Sequence, residues 1–139
     1  RSGGTTVSTA LSRYVEKDDN AYAWEKVNET DAGENSVLYE LKLTSQVWQN
    51  IPWQHRLRII APKTMAKTPT LALLIVSGSG RGEGEQRAGQ LIADATGAPV
   101  AILHDVPNQP LLGGLREDAL IAQTFVKFME TGEIKPLLD

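Results

Sequence analysis

The chain has 139 residues, 41% of them hydrophobic and 22% charged, which is the make-up of about one globular domain and excludes a mainly disordered polypeptide. Fourteen Lys and Arg against seventeen Asp and Glu give a net charge of -3, too little positive charge to cover a phosphate backbone, so no nucleic-acid partner is expected. With no cysteine, disulfides, thiolate nucleophiles, iron–sulfur clusters and cysteine zinc sites are excluded. The longest apolar run, Leu71 to Val76, falls far short of the roughly 20 residues of a membrane-spanning helix.

Residues 1–10 are rich in Gly, Ser and Thr and read as a flexible lead-in or an expression remnant, with one domain over 11–139. The first residue is Arg1 with no apolar signal core behind it, and Leu137-Leu138 after Lys135-Pro136 reads as the entry to another buried element. A piece of a longer protein is expected. Val37 to Trp48 alternates between apolar and polar residues, and Trp53 to Ile59 does so more cleanly, predicting two antiparallel strands joined by a loop at Asn50-Ile51-Pro52.

The pattern then changes. Leu71-Ala72-Leu73-Leu74-Ile75-Val76 is continuously apolar, as in a parallel strand covered on both faces. Ala88, Leu91, Ile92 and Ala95 recur at helical spacing and stop at Gly97, predicting a helix with that stripe facing the core. Pro99 to Leu103 is a second buried strand. Glu117 to Glu130 is a second helix, with a stripe of Leu120, Ile121, Phe125, Phe128 and Met129 and a closing Gly132. The fold class is therefore α/β: antiparallel strands, then parallel strand, helix, strand, helix, as a three-layer arrangement still incomplete at residue 139.

The most unusual stretch is Ser77-Gly78-Ser79-Gly80-Arg81-Gly82-Glu83-Gly84, with four of the twelve glycines between a buried strand and a helix. It lies beyond the carboxyl end of its strand, where α/β sheets bind ligands, though a turn needing glycine for geometry fits the spacing equally well. No nucleotide-binding fingerprint is present, because no Gly-Lys follows at phosphate-loop spacing and Glu83 or Glu85 stands where a dinucleotide loop needs its third Gly. Neither Ser77 nor Ser79 has glycine two residues before and two after, so there is no nucleophile elbow. His55, on the apolar parity of its strand, reads as a packed core histidine. His104, at a strand end, is the better candidate for a site, and Asn108 and Gln109 in the following Pro-rich loop either lock that loop or donate to a ligand. No residues stand at metal-ligand spacing, and no metal or cofactor is expected.

Several blocks together resemble one family. Leu11-Ser12-Arg13-Tyr14-Val15, Ala21-Tyr22-Ala23-Trp24, Tyr39 to Trp48, Trp53-Gln54-His55-Arg56-Leu57, Val106-Pro107-Asn108-Gln109-Pro110-Leu111 and Glu117 to Ala122 are similar, in order and spacing, to PhoPQ-activated pathogenicity-related proteins. The resemblance spans residues 11–138. It implies an α/β-hydrolase-like fold and an exported protein, periplasmic or extracellular. It also implies acyl transfer by a serine that would lie downstream of residue 139, with backbone N–H groups of Gly78 and Ser79 forming the oxyanion hole. Ser77, Gly80, Arg81, His104, Asn108 and Gln109 are then the substrate-binding candidates, for a small-molecule or peptide ester or amide. The family's usual pair of adjacent glycines is replaced here by Ser77-Gly78-Ser79-Gly80-Arg81.

The expected partner is the remainder of its own chain or a processed second chain, and residues 1–139 alone are expected to be inactive. A non-catalytic binding or signalling protein on a hydrolase scaffold, related to a secreted proliferation repressor, is the alternative. A complete small ligand-binding domain is a third reading.

Overall fold

The computed structural model describes residues 9, 12, 13, 16, 20–65, 71–78 and 80–133. The lead-in over 1–10, apart from Thr9, lies outside these residues, as do Leu137 and Leu138. Seven elements follow in order: β1 (Ala23–Ala32), β2 (Ser36–Trp48), β3 (Ile51–Pro62), β4 (Leu73–Val76), α1 (Glu83–Thr96), β5 (Val100–Leu103) and α2 (Glu117–Thr131). The five strands form one mixed sheet in the order β1-β2-β3-β5-β4. The first three make an antiparallel meander, β3 also runs antiparallel to β5, and β4 is parallel to β5.

The expected antiparallel pair is β2 and β3, but its turn is tighter than expected. Gln49 and Asn50 both take positive φ, at 48° and 62°, as a two-residue hairpin demands, and Ile51 and Pro52 already belong to β3. Strand β1 was not anticipated, because the apolar residues of Ala23–Ala32, namely Ala23, Trp24, Val27 and Ala32, do not alternate, and the strand is exposed along all but its last position. Its stability comes from pairing with β2 and not from burial.

Alternation along β3 assigns the two faces of the sheet. Ile60 points one way, with Val100 and Ile102 of β5, and all three are fully buried beneath α1. Burial of each contributes roughly 1.5–3 kcal/mol. Trp53 points the other way and meets Trp48 with ring centroids 6.0 Å apart. There Trp48, Leu111 and Leu120 of α2 build a second core.

The helix α1 contradicts the stripe read from the sequence. Its buried residues are Gly89 and Ala93, whereas Ala88, Leu91, Ile92 and Ala95 are exposed. Close approach is the cause, since the backbone of α1 lies so near the sheet that only small side chains fit. A Cβ at Gly89 would stand 3.1 Å from Ile60 Cδ1, 3.2 Å from Ile102 Cδ1 and 3.3 Å from Val100 Cγ1. Gln90 donates to the Ala32 carbonyl, and buried Ser36 donates to Asp94 Oδ1 at 2.9 Å, so α1 is also tied to the β1–β2 turn. Gly97 ends the helix in the left-handed region, as expected.

Strand β4 corrects a second expectation. Leu73, Leu74 and Val76 are exposed and only Ile75 packs against the core, because β4 is the sheet's edge and not an interior strand. In α2, Leu120 is buried but Ile121, Phe125 and Met129 of the expected stripe are exposed. Gly89→Leu is expected to overpack the junction of α1 with the sheet and to lower stability by about 1–3 kcal/mol, read as a shift of the urea unfolding midpoint.

Candidate functional site

The glycine-rich loop leaves β4 and is fastened to the end of β5. Ser77 N–H donates to Leu103 O at 2.8 Å, Val106 N–H to Ser77 O at 3.2 Å, and Asp105 N–H to Gly78 O at 3.1 Å. Ser79 lies outside the described residues. Gly82 caps α1 at φ 69°, with no side chain supplying the cap. Glycine is required there twice over: by the positive φ, and because a Cβ would overlap the imidazole of His104, with Nε2 2.8 Å away.

Two arginines hold the loop from below. Arg56 and Arg58 alternate along β3 on the face covered by α1, a placement that follows from their spacing. Arg56 grips the Asp105 carboxylate through Nε at 2.8 Å and Nη2 at 3.3 Å, and Nη2 also donates to Gly80 O. Arg58 Nε donates to Glu40 Oε1 at 3.1 Å, while its Nη1 reaches Arg81 O at 2.9 Å and Gly82 O at 3.4 Å. Three successive loop carbonyls are thus engaged by two planar guanidinium groups, whose fixed fork of donors suits that task better than a lysine ammonium would. As a half-exposed ion pair, Arg56 with Asp105 contributes at most about 1 kcal/mol to stability, so its role is positional.

His104 is fully buried at the end of β5, and among the described residues neither ring nitrogen has a hydrogen-bond partner. Burial, then the positive charges of Arg56 and Arg58, hold its pKa below the ordinary histidine value. The Ser77 hydroxyl donates to Glu85 Oε1 at 2.7 Å, and this bond lowers the pKa of the glutamate. The Arg56 guanidinium lowers that of Asp105.

Beside the loop, a cleft of about 510 Å³ is lined by Glu40, Lys42, Arg56, Arg58, Asn108 and Gln109, among others. Asn108 Nδ2 donates to Pro52 O at 3.4 Å, a bond that ties the Asp105–Pro110 loop to the start of β3. The structure therefore brings Ser77, Gly80, Arg81 and His104 together around the amino end of α1 and puts Asn108 and Gln109 on the neighbouring cleft wall. Sequence reasoning missed Arg56, Arg58 and Glu40. Their signal was present as the polar parity of two facing strands, Glu40 opposite Arg58 and Lys42 opposite Arg56. His55 is 5% exposed and hydrogen-bonded through both nitrogens, as a packed core histidine should be. Among the described residues, no three His, Cys, Asp or Glu side chains converge as a metal site would require, and no helix is long and apolar enough to cross a membrane.

Gly82→Ala is expected to cost more than about 2 kcal/mol, since positive φ and the clash with His104 act together, and thermal unfolding would register it. His104 has a folded pKa below its unfolded value of about 6.5, so its neutral form contributes stability at higher pH that is lost as pH falls through the folded value. The melting temperature is accordingly expected to fall from pH 7 to pH 5, and to fall less in His104→Leu.

Compared with protein-family models, residues 11–138 match that of the PhoPQ-activated pathogenicity-related proteins. No curated protein and no solved structure gives a significant match. The match spans nearly the whole chain and takes in the strands, the loop and both arginines. This chain belongs to the PhoPQ-activated pathogenicity-related protein family.

Proposed function

We propose that this chain forms the amino-terminal part of an exported α/β-hydrolase-like protein, whose attacking serine lies further along the polypeptide. The observation that carries the reading is the Ser77–Gly82 loop, at the carboxyl end of a parallel edge strand and at the start of α1, with its carbonyls drawn down by Arg56 and Arg58. The order of antiparallel β2 and β3, then β4, α1 and β5, supports it, as does the exposed edge of β4, which has room for further strands. In this mechanism the serine oxygen attacks the carbonyl carbon of a small-molecule or peptide ester or amide. The N–H groups of Gly78 and Ser79 then take up the charge on the former carbonyl oxygen. Arg81, Asn108 and Gln109 border the substrate, while His104 lies buried beneath Gly82 and supports the loop from below.

One observation favours the second reading, a binding or signalling protein on the same scaffold. Glu83 and Glu85 stand in the first turn of α1, where their negative charge opposes an oxyanion. A panel of esters and amides given to the full-length protein separates the two. Under the hydrolase reading Gly78→Pro, which deletes one N–H at a position with open space around it, lowers kcat by about 10²–10³. Under the same reading residues 1–139 alone give no turnover. A full-length wild type that hydrolyses nothing in the panel leaves the binding reading.

A further inference from the structure

Strand β2 carries a bulge between Thr44 and Gln46, opposite the step from Gln54 to Trp53 on β3. Ser45 is the unpaired residue. Bulges re-aim side chains, and here the Ser45 oxygen lies 2.8 Å from Nε2 of His55. The other ring nitrogen, Nδ1, lies 2.9 Å from the backbone carbonyl of Asp105. A carbonyl only accepts, so Nδ1 carries the proton and Nε2 presents its lone pair, which leaves the serine hydroxyl as donor. Ser45 is exposed whereas His55 is 5% exposed and wedged beside Trp53, with ring centroids 6.4 Å apart. A solvent-facing hydroxyl, a buried base and a group orienting that base are the three parts of an activated nucleophile.

We infer that Ser45 is an acyl-acceptor site, activated by His55 and oriented through the Asp105 carbonyl. The donors are activated carboxylic esters with small uncharged acyl groups, which suit a site whose base packs beside the Trp53 ring. In the reaction the Ser45 oxygen bonds to the acyl carbon as the ester C–O bond breaks. The hydroxyl proton passes to His55 Nε2 and then to the departing oxygen, so no other reagent is needed. Asp105 gives the imidazole its carbonyl while its carboxylate is engaged by Arg56. The imidazolium therefore lacks a carboxylate of its own, and a single covalent acylation, not repeated turnover, is the expected outcome. This site is independent of any serine further along the polypeptide.

The test treats the intact protein with p-nitrophenyl acetate and maps acetylation by tandem mass spectrometry of two tryptic peptides, Leu43 to Arg56 for Ser45 and Thr68 to Arg81 for Ser77. Ser45 is expected to be acetylated at least about a hundredfold faster than Ser77, whose hydroxyl is bonded to a carboxylate. His55→Asn keeps a donor for the Asp105 carbonyl but removes the base, and is expected to abolish that preference while circular dichroism stays unchanged. Ser45→Cys supplies a second readout in this cysteine-free sequence, because its thiol should react with iodoacetamide about tenfold or more faster than the thiol of an exposed Thr64→Cys control. Equal acetylation of Ser45 and Ser77, or equal rates for the two thiols, overturns the proposal. So does undiminished labelling of Ser45 in a folded His55→Asn variant.

Discussion

Two guanidinium groups on one strand decide how the loop before α1 is laid down. Arg56 and Arg58 rise from the floor of the sheet, each anchored by a carboxylate, and take the carbonyls of Gly80, Arg81 and Gly82. A glycine-rich segment has little preference of its own, since its backbone has many accessible conformations. The direction has to come from outside, and here it comes from β3. With the carbonyls fixed, Gly82 caps α1 directly over His104, and the small face of Gly89 and Ala93 settles onto Ile60, Val100 and Ile102. Charge below and close packing above thus specify one loop geometry between them.

What was legible in the sequence follows from which signals are local. The strands β2, β3 and β5 and both helices declare themselves through alternation, an apolar run or helical spacing, and Gly97 and Gly132 mark helix ends through local backbone chemistry. The buried face of α1 was not legible, because hydrophobic periodicity assumes that the largest apolar side chains face the core. Here the sheet already fills the space with Ile60 and Ile102, so the helix turns its glycine and alanine inward and leaves Leu91 and Ile92 outside. Strand β1 escaped for the opposite reason: its partner is a backbone ladder, which leaves no trace in side-chain hydrophobicity. The candidate site was legible as far as glycine content shows it. The arginines that arrange it sit more than twenty residues earlier in the chain, and only the register of β2 with β3 and of β3 with β5 brings them to the loop.

The apolar surface is unevenly distributed. Leu73, Leu74 and Val76 on the sheet edge, and Phe125 and Met129 on α2, are exposed while small residues lie inside. An edge strand with free N–H and C=O groups and apolar side chains is a template for another strand. The same property makes the protein prone to self-association wherever that edge stays open.

The bulge at Ser45 also sets the phase of the hairpin. Before it, Leu43 shares a face with His55; after it, Gln46 and not Ser45 stands opposite Trp53, so Trp48 arrives on the side of the second core. Were Ser45 paired opposite Trp53 at the present length, strict alternation would turn Trp48 toward the opposite face, leaving Leu111 and Leu120 without their aromatic partner. Deleting Ser45 itself would keep Gln46 opposite Trp53 and Trp48 opposite Ile51, because the partner strand has no residue that answers it. One residue gained or lost within the regularly paired stretches has no such slack, and it exchanges inside for outside along everything that follows it in the strand.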